Sequence, residues 1–410
     1  MSKAMPEVNG HLCSLDAWDT FSLVKSDLGI KINLNFNAWD LTCDNLVGVA
    51  SALFARLGLI QHLKISEREF MLFVKAVEAG YLSNPYHSFH HAVDVCVVIF
   101  FTLIDLGLGA RLSTEDILAL MLAGLCHDIG HPGVNNMYQV NAKTELAEAF
   151  NGVSVLENYS CQLTKNILEK HRLLRNSETD VEECVMEYIL ATDMAFHFSK
   201  VEELNQLLLE WPQEGQVPRK SRRQLCGTIL HAADISNAVR PWPLCKAWSD
   251  MVINEFFQQG DLERRNDLPV SPNMDRGCSS QAQIALDFDA YIITPFFEAL
   301  ASLFPDSKVF LQHLHSNRKR WTVLNRKLSA LPSPLLPIRR VSFSAGTVII
   351  PESFREDTKS SPNNSLPRGA RHRRRPNSLR RDGCPTDKVR PFSFIARIPS
   401  TDSLEHPVLS

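Results

Sequence analysis

The segment "GLCHDIGHPGVNN", Gly124 to Asn136, sets His127 beside Asp128 and places His131 four residues after the first imidazole. Upstream, "NPYHSFHHAVDV" carries His87, His90, His91 and Asp94; downstream, "LHAADISN" carries His231 and Asp234. On a helix His87 and His91 share a face, with His90 within reach of His87, because residues three and four apart are neighbours. Imidazoles mixed with carboxylates suit a hydrolytic divalent-metal site, whereas unclustered thiols argue against a structural zinc cage. Three separate helices, each offering a ligand, would have to converge in one core. A carboxylate bridging to a second metal could then hold a hydroxide between two dications, a nucleophile for phosphate esters. Taken singly, each of these groups has an ordinary reading, since a lone His-Asp pair or helical histidine usually belongs to core or surface.

The elements that must position these groups read as helices. In "STEDILALMLAGLC" Ser113 is an N-cap candidate with Asp116 three residues on, followed by apolar residues at three- and four-residue spacing. Gly130 and Pro132-Gly133 close its far end. "VEECVMEYILATDMAFHFSKVEELNQLLLEW" and "RRQLCGTILHAADISN" show the same period, alternating strand-like runs are scarce, and no repeat recurs at a fixed period. The expected fold class is all-α. The hydrophobic content of 44% supports a sizeable core. The most apolar stretch, Val93 to Leu108, contains Asp94 and Asp105 and reads as a buried helix. No run of about twenty apolar residues occurs, so no membrane span is expected, and the start lacks a secretory pattern. Ten cysteines without a C-x-x-C pair suggest reduced, mostly structural thiols and a cytoplasmic protein.

A formal net charge of −3 conceals an asymmetry. From Ile338 to Ser410 there are 14 Lys/Arg against 7 Asp/Glu, which leaves 29 basic and 39 acidic residues ahead of them. "LPSPLLPIRRVSF" opens a Pro/Ser/Arg-rich stretch at about the same place, so residues 332–410 read as a disordered basic tail. "RRVS" and "RRRPNS" put arginines before Ser342 and Ser378, the pattern that basophilic kinases read; "RRVS" resembles the preference of cyclic-AMP-dependent kinase. The competing reading is a merely solvated basic tail. No specific nucleic-acid binding is expected.

His, then His-Asp, then Asp, all on helices, resembles the ligand pattern of the HD superfamily of metal-dependent phosphohydrolases. "YHSFHHAVDV", "HDIGHPGVNN", "SVLENYS", "LATDM", "HAADISN" and "EFFQQGDLER" follow in the order and rough spacing of class I 3′,5′-cyclic nucleotide phosphodiesterases. The likeness runs from about Phe36 to Leu331, which implies a compact multi-helix HD-type catalytic domain at 36–331 behind an N-terminal extension at 1–35. It implies that His91, His127, Asp128 and Asp234 hold a tight metal, usually Zn2+, and that Asp128 bridges to a second, Mg2+ or Mn2+. His87 would protonate the leaving O3′. His131, Glu157 and Thr192 would surround the water shell of the second metal, while Tyr86, Asn237, Val252, Phe256 and Gln283 would form the nucleotide pocket.

The chemistry suits those roles. A phosphodiester anion repels hydroxide until dications neutralise it, and an alkoxide leaves poorly unless a histidine protonates it as the bond breaks. A purine needs an apolar clamp with an amide at its edge. Val252 and Phe256, four apart, can form one wall, although that spacing alone equally suits ordinary core. The sequence also departs from the family. His90 stands where relatives often have an aliphatic residue, and could perturb His87; Ser88 replaces a common asparagine. "QIALDFDAYIITP" is about two residues longer than usual between glutamine and proline. The inner clamp is therefore Leu286 counting from Gln283, or Phe288 counting from Pro295.

Hydrolysis of a cyclic nucleotide is the expected function, with cyclic AMP favoured through Asn237, since the Gln283 amide can present either end to a purine and does not choose by itself. Another HD-type nucleotide phosphohydrolase and a catalytically silent cyclic-nucleotide-binding scaffold are the alternatives.

Overall fold

The computed structural model describes residues 13–329, apart from 178–179 and 213–214. They belong to the first of two units into which the chain divides, Met1–Arg355. The end of the catalytic region at residue 331, the tail, Ser342 and Ser378 lie outside the described residues.

The described residues form helices and no strands. The α-helices run α1 Leu15–Lys25, α2 Cys43–Arg56, α3 Leu59–Leu63, α4 Glu67–Glu78, α5 Phe89–Ile104, α6 Thr114–Cys126, α7 Asn136–Asn141 and α8 Glu145–Ala149. Then follow α9 Val155–His171, α10 Val181–Leu190, α11 His197–Glu210, α12 Arg219–Asp234, α13 Trp242–Arg265, α14 Gln281–Phe288, α15 Thr294–Leu303 and α16 Lys308–Ser329. Local chemistry starts several of them. Thr42 with Asn45, Ser66 with Glu69 and Ser113 with Asp116 form reciprocal capping boxes at α2, α4 and α6, satisfying amide donors that have no partner in a first turn.

Residues 15–34, which the sequence assigns to an extension, supply core: Ala17, Phe21 and Val24 of α1 are buried, and α1 packs along α2. The apolar run of α5 is buried on nearly every face, and α5, α6 and α12 pack on one another. The acid within that run is paired: Arg240 donates Nη1 to Asp94 Oδ2 at 2.7 Å, both side chains being almost wholly buried. The same guanidinium donates to the carbonyls of Leu34 and Phe36. One cation thus ties α5 to the segment after α12 and to the chain ahead of α2.

Candidate active site

His91 lies in the first turn of α5, His127 caps the C-terminus of α6, and Asp234 is the last residue of α12. Because these three helices are mutually packed, residues 143 apart in sequence meet: His91 Nε2 is 2.9 Å from Asp234 Oδ1. His127 Nε2 lies 3.1 Å from Asp128 Oδ2 and 3.4 Å from Asp234 Oδ1. One ligand atom from each of His91, His127, Asp128 and Asp234 falls within 4.8 Å of the others. His127 Nδ1–H donates to the Gly124 carbonyl at 2.9 Å, which turns the Nε2 lone pair into the cluster. His127 Nε2 and Asp128 Oδ2 are buried and make no hydrogen bond. Buried polar atoms left unpaired among nitrogen and oxygen donors are what a divalent cation would satisfy, so the residues fit the metal that the sequence implies.

The turn after His127 is shaped by glycine. Gly130 (φ +79°) and Gly133 (φ +76°) occupy the left-handed region, and a β-carbon at Gly130 would meet Leu163 Cδ1 at 2.4 Å. From α13, Gln259 holds the far end of the turn, accepting from the Asn135 amide at 2.8 Å and donating to its side-chain oxygen at 3.0 Å.

His87 precedes α5, and Glu255 of α13 holds it. The Glu255 carboxylate pairs with His87 Nδ1 and accepts from the backbone amides of Tyr86 at 2.9 Å and His87 at 3.1 Å. Burial alone would lower the pKa of His87, but the charges of Glu255 and Asp128 outweigh it and raise the group to about 9. Glu255, against its own burial, is pulled down to about 2 by the His87 cation. His131 stacks on His87 with ring centroids 3.8 Å apart. Burial, together with the His87 charge, pushes His131 down to about 3, so it is a neutral ring against a cation. Sequence reasoning missed Glu255. Its signal was the spacing of Val252, Glu255 and Phe256, which puts an acid on the pocket-facing side of α13.

A cavity of about 290 Å³ joins these groups. Tyr86, His87, Asp128, His131, Glu157, Thr192, Asp234, Asn237, Val252, Phe256 and Phe288 line it, while His91 and His127 lie behind Asp128 and Asp234. Asn136 donates to Glu157 at 2.9 Å, and burial with the Asp193 charge raises Glu157 to about 7. Ser154 fixes Asp193, next to Thr192, through a 2.8 Å bond. Asn237 Nδ2 donates to the Tyr86 hydroxyl at 2.5 Å.

Two expected pocket residues lie elsewhere. Gln283 donates Nε2 to Asp287 at 2.7 Å and accepts from Asn325 at 2.8 Å, and Leu286 packs with Trp321 and Cys245; neither lines the cavity. The extra length of this run is accommodated by a π-helical turn, Asp289–Ile293, so the inner wall follows the count from Pro295 and presents Phe288. His90 stacks flat on Trp39, centroids 4.3 Å apart, and burial lowers its pKa, so it brings no cation toward His87.

The likeness to known proteins runs through these residues. The model of the family described as 3′5′-cyclic nucleotide phosphodiesterase matches residues 86–314. The 3′,5′-cyclic-nucleotide phosphodiesterase regA of Dictyostelium discoideum is 34% identical over 70% of this chain and 37% of its own length. The human high affinity cGMP-specific 3′,5′-cyclic phosphodiesterase 9A is 31% identical over 71% of this chain and 50% of its own. This chain therefore spans about a third to a half of those two relatives. The crystallised phosphodiesterase domain of a Salpingoeca rosetta rhodopsin phosphodiesterase superposes with a TM-score of 0.69 at 26% identity, covering 72% of this chain and 92% of that one. The family match spans the helices that bring His91, His127, Asp128 and Asp234 together, and the chain belongs to the 3′,5′-cyclic nucleotide phosphodiesterase family.

Proposed function

We propose that this chain hydrolyses a 3′,5′-cyclic nucleotide to the nucleoside 5′-monophosphate. One observation carries the reading: a half-buried histidine, held as a cation by a buried glutamate, shares a cavity with the two carboxylates of a four-residue His/Asp cluster. Divalent ions in that cluster, Zn2+ at the four ligands and Mg2+ or Mn2+ beside Asp128, would neutralise the phosphodiester and lower the pKa of water. The protein's own part is acid catalysis and orientation. His87, protonated at Nε2 with Nδ1 held by Glu255, delivers its proton to O3′ as the P–O3′ bond breaks, so a neutral hydroxyl departs. His131, neutral and stacked on it, keeps the ring in place. Glu157, Thr192 and Asp193, which line the same cavity, offer acceptors for ordered water. Phe256 and Phe288 clamp the base. The lean to cyclic AMP rests on Asn237 alone, since an amide matches the donor and acceptor of adenine N6 and N7, whereas guanine presents two acceptors. A cytoplasmic site of action and a basophilic kinase acting at Ser342 or Ser378 are further parts of this proposal.

The test is turnover of cyclic AMP, cyclic GMP and a nucleoside triphosphate by purified protein supplied with Zn2+ and Mg2+. Nucleoside 5′-monophosphate from the cyclic substrates, and none of the corresponding product from the triphosphate, is expected. Hydrolysis of the triphosphate alone would transfer the chain to another HD-type chemistry. Binding without turnover would make it a scaffold.

A further inference from the structure

A helix of eight residues, α14, carries two glutamines, and both amides are committed away from the cavity. Gln281 donates Nε2 to Ser249 at 3.0 Å and to Asp250 at 2.8 Å on α13. Gln283 is engaged at both ends of its amide, by Asp287 within the helix and by Asn325 of α16. The α14 positions that line the cavity are Ile284, Ala285 and Phe288. Below them the π-helical turn is anchored by side chains: Asp289 takes Arg318 Nε at 2.6 Å and Nη2 at 2.8 Å, and Thr294 donates to Asp289 at 2.8 Å. A π turn advances the chain by more residues than an α turn of the same span, so it rotates everything upstream relative to α15. With Phe288 at the wall, Ala285 is the residue three before the clamp, the place that the glutamine would hold relative to Leu286.

We propose that the π turn sets a register in which α14 offers Ala285 rather than a glutamine amide to the edge of the base, making the pocket an apolar clamp that selects weakly among nucleobases. The proposal rests on the phosphodiesterase reading. Between Val252, Phe256, Ile284 and Phe288 the ring is held by burial and stacking, which any base supplies. Asn237, at the Tyr86 end, and Asn273 are the lining amides that remain to discriminate, and a single hydrogen bond changes affinity by only about two- to tenfold. Most polar groups at the inner end are engaged within the protein: Asp289 holds Arg318, and the Asn317 amide nitrogen donates to the carbonyls of Ala238 and Arg240, while the side-chain oxygens of Asn273 and Asn317 are buried without hydrogen bonds.

The experiment compares kcat/KM for cyclic AMP, cyclic GMP and cyclic CMP in the full chain and in Gln283→Ala and Ala285→Gln. Values for the three substrates within about tenfold of one another, cyclic AMP leading, are expected of the wild type. Gln283→Ala should leave those ratios within about threefold, since ratios are insensitive to any loss of folded protein. Ala285→Gln should add an amide at the edge, lowering KM for the purine substrates and widening their lead over cyclic CMP by about threefold or more. A wild-type preference above about a hundredfold that Gln283→Ala collapses would overturn the register argument and leave the phosphodiesterase reading intact. Failure to hydrolyse any of the three would end both.

Discussion

At the residue scale, the proposed acid and ligand roles predict different losses. His87→Ala should keep its tightly bound metal and its nucleotide affinity while turnover falls by about 10²–10⁴-fold, the usual contribution of a positioned acid. Asp234→Ala should lose the metal as well, because its carboxylate touches both ligand histidines. Metal content measured beside turnover distinguishes the two, and full activity in His87→Ala would remove the acid from the mechanism. Glu255 makes the pH dependence testable. His87 is raised from 6.5 to about 9, so its cation contributes fully to stability below pH 6.5 and loses that contribution as pH rises through about 9. The acid form follows the same curve, and the fall in kcat should lie on the alkaline side. Glu255→Gln removes the charge that holds the proton, so that fall should move to lower pH; an unmoved profile would assign Glu255 a purely structural part.

At the element scale, the site depends on helix ends being locked. Asp94, one turn after His91, and Arg240, after α12, are both almost wholly buried. Asp94→Ala would leave an uncompensated cation among apolar groups and should cost about 3–5 kcal/mol. A paired Asp94→Leu, Arg240→Met replacement should recover much of that loss, because removing both charges also removes the desolvation penalty. Urea unfolding of the two variants decides it, and equal losses in both would mean that the guanidinium contacts to Leu34 and Phe36 matter more than the ion pair. Gly130 and Gly133 matter for a different reason. Gly130 turns the chain two residues after Asp128, bringing His131 over His87 within five residues of the end of α6, and Gly133 turns it again just beyond.

At the scale of the whole molecule, a metal in the His/Asp cluster would couple binding to folding. His91, His127, Asp128 and Asp234 come from α5, the end of α6 and α12, so a bound dication cross-links helices that unfolding separates. Chelation should lower Tm and restored Zn2+ should raise it, by a stabilisation of about 4 kcal/mol when free metal exceeds Kd a thousandfold. Asp234→Ala should show no such response in a thermal melt with and without chelator. The charge asymmetry supports another prediction. Phosphate on Ser342 would add roughly two negative charges beside Arg339 and Arg340. Incubation with cyclic-AMP-dependent kinase, then mass spectrometry and assay, should find Ser342 modified and turnover changed; an unmodified Ser342 removes the proposed feedback from the kinase onto the hydrolase.

The helical class, the capping of α6 by Ser113 and Asp116, and the His/Asp groups that meet at the cluster were legible in the sequence. The reason is that periodicity and capping are local, and that metal chemistry narrows the residue types at a site to a few. Other features needed the tertiary structure. Glu255 lies 168 residues from His87, and no local pattern joins them. His90 looked like a neighbour of His87 until the α5 face that carries it was seen against Trp39. The direction in which Gln283 points depends on a π turn six residues downstream and on Asn325 of another helix. Residue type and spacing decide which chemistry is possible; helix register and packing decide which side chains reach the cavity, because a shift of one residue rotates a helix face by about 100°.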